Sequence, residues 1–371
     1  MTRETPPQPN ELEISVIGPG RGECILVHLG NNEWCVIDSC VARDSTEPVA
    51  VDYLRSFHNN AMDGVRLVVA THWHDDHIRG LASVLKSSRN AKFACSAALE
   101  KEIFMELVAL SEQSLPGRSG VQEFASIFEL LLERADRSML RHLVSPMYAG
   151  VNRKLLSLPS TGRPFAIGIT SLSPSDGAIT LALKQIGSLI PKPGDPQRRI
   201  VAQSPNHTSV VIWVEAGPRN ALLGADLEHT GQPGEGWIAV LADYQEAARA
   251  RIFKVPHHGS QNGDYPDVWK KLLLPNPIAV VTPFSAGVRL PKRSDLTRLC
   301  TYTPNVYCTV EGAGKPPGRD PSVEREMRRF AKDRRILQGQ PGHVRIRWTT
   351  TQPEALPVID LFYGARHVCP N

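Results

Sequence analysis

Seven consecutive residues, Thr71-His72-Trp73-His74-Asp75-Asp76-His77, crowd three histidines and two aspartates into one short segment. Neutral imidazole and ionised carboxylate suit zinc, manganese or iron, and adjacent ligands on one loop can converge on a pair of ions. An H-x-H-x-D-H arrangement arises by chance in such a chain with a probability of about 10⁻³. Two later segments extend the set. Asp226 follows Ala221-Leu222-Leu223-Gly224-Ala225, a short apolar run and a glycine turn; alone, such an acid is more often a turn residue or a helix N-cap. His257 and His258 end the run Lys254-Val255-Pro256 and precede Gly259-Ser260. With the first cluster they supply a carboxylate able to bridge two cations and an imidazole to complete the second.

These residues need elements to hold them. Val65–Ala70 is a nearly continuous apolar run that predicts a buried strand directly before the cluster, and Ile78–Leu85 predicts a helix after it. Strand, ligand-bearing loop, helix places side chains at the carboxyl end of a sheet. Ile14–Val16, Cys24–Leu29 and Trp34–Asp38 read as strands, with Gly30-Asn31-Asn32 as a hairpin turn between the last two. Val51–His58 reads as a helix. Residues 96–143 read as a helical insertion, with amphipathic helices over Ala97–Leu110 and Val121–Leu140 joined by a Pro116–Gly120 breaker. Ser145–Pro205 is dense in Pro, Gly and Ser and is expected to wrap the surface. Val210–Val214, Ala221–Leu223, Arg251–Val255, Ile278–Thr282 and His343–Trp348 read as strands. Within 312–340, Gly312–Pro321 reads as a loop and Ser322–Lys332 as a basic helix.

The chain of 371 residues carries 42 Lys+Arg against 38 Asp+Glu, a balance too even to announce a nucleic-acid binder by itself. No apolar run approaches a membrane span and Met1–Asn10 is polar, so the expectation is a cytoplasmic protein with no membrane partner, folded as one domain over 1–371. The seven cysteines are odd in number and form no C-x-x-C pair, which reads as reduced core thiols.

In their order these motifs resemble the metallo-β-lactamase superfamily, and within it the hydrolase domain of the DNA-uptake competence channel. The matching stretches are the glycine-rich turn and strand Gly20–Val27, the strand Val36-Ile37-Asp38, the signature Thr71–His77, Asn206-His207-Thr208-Ser209, Gly224-Ala225-Asp226 and Val255–Ser260. The resemblance implies an α/β fold, a four-layer αβ/βα sandwich with the helical stretch inserted, and two divalent metal ions, zinc or manganese. It implies that His72 and His74 hold one ion, that Asp76, His77 and His257 hold the other, and that Asp226 bridges them. His258 would face the substrate, Asp38 would brace the histidine loop, and Asn206 (or His207) and Ser260 would line the site. This chain departs from the family at Gly18, Arg21, Cys40, Arg79 and Leu290-Pro291, around the expected pocket.

Two cations acidify a bridging water and stabilise charge on a phosphoryl or carbonyl oxygen, so no serine or cysteine nucleophile is required. His258 is the expected general acid, with Asp76 beside it. The leading expectation is a phosphodiesterase or nuclease acting on nucleic acid or a nucleotide. Lys292, Arg293, Arg298 and the basic residues Arg325, Arg328, Arg329, Lys332, Arg334 and Arg335 would offer phosphate contacts. A lactone, thioester or β-lactam hydrolase is the alternative. A third reading is an effector subunit, as in anti-phage defence, regulated by a protein partner docked on the helical insertion.

Overall fold

The computed structural model describes residues 2–42, 45–99, 120–137, 144–189, 205–244, 248–285, 289–310, 322, 326, 340–349 and 355–370. Two eight-stranded mixed sheets dominate it. In the first, β1 (Glu11–Gly18), β2 (Cys24–His28) and β3 (Trp34–Ile37) form an antiparallel meander. It continues in parallel through β4 (Val65–Ala70), β5 (Lys92–Ser96) and β6 (Met147–Ala149). On its other edge β1 pairs with β14 (Gly342–Thr349), and β14 with β15 (Val358–Phe362).

The second sheet begins with three antiparallel neighbours, β7 (Arg153–Leu158), β8 (Ile167–Ser171) and β9 (Ile212–Ala216). Antiparallel β10 (Arg219–Leu223) follows, then parallel β11 (Ala250–Lys254), β12 (Leu273–Val281) and β13 (Val306–Cys308), with β16 (Arg366–His367) at the edge.

Side-chain alternation makes the layers. On β4, Leu67 and Val69 enter a core shared by both sheets, where Ile14, Val16, Ile25 and Val27 meet Ile169, Val214, Leu223 and Ile252. Val68 and Ala70 point the other way, toward α1 (Val49–Arg55), α3 (Leu81–Ser87) and α4 (Gly120–Arg137). A third core packs the outer face of the second sheet under α6 (Gly236–Asp243), α7 (Pro266–Lys271) and α8 (Arg293–Tyr302) through Trp237, Trp269 and Leu299. Helices, sheet, sheet, helices is the four-layer αβ/βα sandwich, since each sheet has two apolar faces to cover.

The described part of the helical insertion is α4, whose Phe124, Ile127, Phe128 and Leu131 are buried against the first sheet's helices. Residues 100–119 and 138–143 lie outside the described residues, so the expected Ala97–Leu110 helix is seen only as a short 3₁₀ turn at Ala97–Leu99. All six basic residues expected between 325 and 335 also lie outside. Among the described residues, no helix is long and apolar enough to cross a membrane.

Two expectations are corrected. Of the stretch Ser145–Pro205, the described residues 145–189 do not merely wrap the surface: they supply β6, β7 and β8, then α5 (Asp176–Leu189), while 190–204 lie outside the described residues. Short strands punctuated by Gly150 and the Pro159–Pro164 turn region leave no long periodic run to read. The cysteines are not all reduced, because Cys300 on α8 is bonded to Cys369, while Cys24, Cys35, Cys40, Cys95 and Cys308 are free and buried. Their separation of 69 residues hid the pair.

Candidate metal centre

The site lies where strands of both sheets end: Asp38 after β3, the histidine loop after β4, Asp226 after β10, and His257 and His258 after β11. The parallel strands point their carboxyl ends to one side, so their following loops converge. Glu23 donates its backbone N–H to the Asp76 carbonyl at 3.0 Å. A Cβ on the intervening Gly22 (φ +119°) would lie 2.5 Å from that carbonyl, so only glycine permits this approach.

Asp38 fixes the histidine loop. It accepts hydrogen bonds from the Thr71 backbone N–H at 2.8 Å and from the Thr71 hydroxyl at 2.7 Å. His77 Nδ1 lies 2.7 Å from its second oxygen, which directs His77 Nε2 into the site. The helical insertion holds the same loop from outside, Gly120 N–H donating to Asp75 Oδ1 at 2.6 Å.

Three groups of donors result, two of which share Asp226: His72, His74 and Asp226 form one, Asp76, His77, Asp226 and His258 another, and Asp38, His72 and His77 the third. His72 Nε2 and His74 Nδ1 are 3.2 Å apart, close to the roughly 3.3 Å edge of a tetrahedron whose metal–nitrogen bonds are 2.0–2.1 Å. His258 Nε2 lies 3.2 Å from Asp76 Oδ2 and 3.3 Å from Asp226 Oδ2. His77 Nε2 and Asp226 Oδ1 are 3.3 Å apart but out of hydrogen-bond alignment, and both are buried without a hydrogen-bond partner. Buried polar atoms left unpaired at one point are costly, and a divalent cation there satisfies them. The donor set therefore fits a divalent cation at this point.

Electrostatics agree. Burial alone lowers the His258 pKa, but Asp226, Asp76 and Glu23 overcome it and raise the value to about 9. His77 is raised well above the ordinary range by the same contest, burial against Asp226, Glu23 and Asp76. This half of the site demands positive charge. Burial and neighbouring imidazoles instead lower His72, which keeps its nitrogen lone pairs available for a cation.

The structure exchanges the places expected for the paired histidines. His258, not His257, joins Asp76, His77 and Asp226. Its Nδ1 is 2.9 Å from the Thr282 carbonyl, which turns Nε2 to the carboxylates. His257 lies in the cleft, with Nδ1 3.1 Å from Asn262 Oδ1 and 3.3 Å from Glu228 Oε1. The cause is a left-handed turn, His257 (φ +46°), His258 (φ +54°) and Gly259 (φ +78°), which the order of roles implied by the resemblance does not anticipate.

Asn206 lines the cleft, its amide donating to Glu228 Oε1 at 2.8 Å while its Oδ1 is buried and unpaired. His207 lies farther out, 3.7 Å from Glu228 Oε2. Ser260 lines the cleft and donates to Asn262. Sequence reasoning missed three charged residues. Lys254, fully buried, lies 2.5 Å from Glu23 and 3.8 Å from Asp226, and Glu228 joins His257 to Asn206. A lysine at the end of the apolar run Ile252-Phe253 was the available signal for Lys254. Of the expected phosphate-binding residues, Arg298 is committed to Asp264 and Asp295 at 2.8 Å each.

Residues 17–137 match the family model described as the metallo-beta-lactamase superfamily. No curated protein matches the chain. Among solved structures it is similar to a HARLDQ-motif metallo-beta-lactamase of Cronobacter sakazakii, with 14% identity, TM-score 0.34, and coverage of 66% of this chain and 74% of that one. It is also similar to the Rm3 metallo-beta-lactamase, with 13% identity, TM-score 0.33, and coverage of 67% and 77%. Likeness of this degree does not extend to activity.

Proposed function

We propose that the chain, whose residues 17–137 match the metallo-beta-lactamase superfamily model, is a two-metal hydrolase acting on phosphodiesters. The observation that carries this reading is that two donor groups share Asp226 and open on one cleft of about 610 Å³. His72, His74 and Asp226 would hold one ion; Asp76, His77, His258 and Asp226 the other. Bound there, divalent cations supply Lewis acidity, bringing the pKa of water toward neutrality and offsetting charge on a phosphoryl oxygen.

The chain's own residues do the rest. His257 is the cleft imidazole outside the donor groups, and Glu228 and Asn262 fix its Nδ1. Its Nε2 lies 3.2 Å from Asn206 Nδ2, and by exchanging that contact it would hold a substrate oxygen or protonate the leaving oxygen, the role first expected of His258. Phe284 and Leu290 form an apolar wall, and Lys292 places a cation on the lining. Carboxylate and imidazole ligands without thiolate, a lysine on the lining, and the motif resemblance to competence-channel hydrolases all favour a phosphodiester over a neutral ester.

The test is turnover of single-stranded DNA, duplex DNA, cyclic dinucleotides and a chromogenic ester with manganese or zinc, beside a variant carrying Asp76→Ala and His77→Ala. Diester cleavage lost in the variant is expected. Turnover confined to the ester selects the lactone or thioester alternative, and equal activity in both proteins removes the metal site from the reaction.

A further inference from the structure

Lys254 ends β11 in the second sheet, Glu23 stands just before β2 in the first, and both are fully buried. Charged side chains are sealed off this completely only when paired, and Lys254 Nζ lies 2.5 Å from Glu23 Oε2. As a stabiliser such a pair is poor, since apolar residues of similar volume do as well in its place. Its contacts point to another use. Glu23 donates its backbone N–H to the Asp76 carbonyl at 3.0 Å. Lys254 Nζ donates to the Ala225 carbonyl at 2.9 Å, and the Lys254 carbonyl accepts from Gly224 N–H at 3.1 Å. Both bonds fall directly before Asp226. Ala225 is left-handed there (φ +46°), a conformation rare for a residue that carries a Cβ. Thr282 donates its hydroxyl to Glu23 Oε2 at 2.5 Å, while its carbonyl faces His258 Nδ1 at 2.9 Å.

We propose that Glu23 and Lys254 are positioning residues, whose ion pair holds Asp226 where its two oxygens can serve both of the donor groups that share it. The Asp76 loop belongs to the first sheet, and the Asp226 and His258 loops to the second. Contacts across the sheets must therefore set the separation of these groups. The pair is such a contact, it is charge-assisted, and it reaches the carriers of all three. Lys254 cannot be a ligand itself, because an ammonium has no lone pair. At 3.8 Å from Asp226 Oδ1 it lies beyond hydrogen-bond reach and acts on that carboxylate through Ala225. The inference rests on the two-ion reading and adds the device that places the shared ligand.

Its test reads ion binding and the coupling between ions rather than turnover. Wild type, E23Q/K254M and T282V, each stripped of metal, are titrated with manganese by calorimetry, and the loaded proteins are compared by electron paramagnetic resonance. In the double variant E23Q keeps an acceptor for Thr282, and the Ala225 carbonyl keeps its bond from His257 N–H at 3.0 Å, so the chain should still fold, as melts of the apo proteins check. The weaker-bound ion is expected to lose on the order of 10–100-fold in affinity. The spin-coupled signal of two bridged manganese ions should also give way to that of uncoupled ions. T282V removes one hydrogen bond from the pair and should lose affinity by a smaller factor; it decides the matter if the double variant does not fold. Wild-type affinity in a folded double variant, or in T282V beside an unfolded one, would overturn the positioning role. Weaker binding with the coupled signal intact would do the same, by making the pair merely structural. A wild type that binds fewer than two ions removes the two-ion reading itself, a failure visible before any variant is made.

Discussion

Asp226 and the two histidines of the Val255–Ser260 turn decide the chemistry at the residue scale. Asp226 has one oxygen toward His77 and the other toward His258, and it is shared by two donor groups. His257 and His258 are adjacent in the chain yet serve different surroundings, one open to the cleft, the other sealed among carboxylates. This difference predicts different mutants. His258→Ala should lower the metal bound per chain, because its group then loses an inward-facing nitrogen. His257→Ala should leave metal content unchanged and lower kcat, by about 10²–10⁴-fold if it transfers a proton. Elemental analysis beside steady-state kinetics separates the two, and the reverse pattern would restore the order read from the motif.

At the scale of elements, strand ends and the packing beneath them hold the site. β4 was legible because a parallel strand buried on both faces shows as an unbroken apolar run, and its end dictated where the histidines had to emerge. Asp38 was legible through the motif resemblance, as the acid that ends the strand Val36-Ile37-Asp38. The roles of His257 and His258 were not, since their expected order came with the motif resemblance, and three successive left-handed residues set the two rings otherwise, with only Gly259 to announce such a turn. Glu23 and Lys254 were hidden because a buried ion pair between two sheets is a tertiary contact without a local pattern. β2 carries a further consequence. Burial lowers the His28 pKa from 6.5 to about 4 while its Nδ1 faces the Glu11 carbonyl at 2.8 Å, so the folded ring is held neutral. The unfolded chain therefore takes up the proton first, and the stability this site contributes is complete above pH 6.5 and lost as pH falls toward 4. The loss is on the order of 3 kcal/mol by the lower limit. Urea unfolding between pH 7 and 4 should show it, with His28→Gln flattening the slope; an unchanged slope would place the acid sensitivity elsewhere.

Across the whole molecule, two sheets packed face to face bring loops from both halves of the chain to one edge. Neither half is sufficient: His72, His74, Asp76 and His77 come from the first sheet, Asp226 and His258 from the second. The layered fold was legible through the order of its motifs, whereas β6, β7 and β8 were lost among prolines and glycines at the sheet margins. The Cys300–Cys369 bond was lost because spatial proximity, not spacing, pairs cysteines.

The central proposal is that the two sheets would jointly hold two divalent ions through Asp226. The direct measurement is metal content after equilibrium dialysis against manganese or zinc, by elemental analysis of the wild type and Asp226→Ala. The wild type should retain about two ions per chain and the variant clearly fewer, each protein remaining folded by circular dichroism. A folded wild type that retains no ion, or a variant that retains as many as the wild type, would contradict the account.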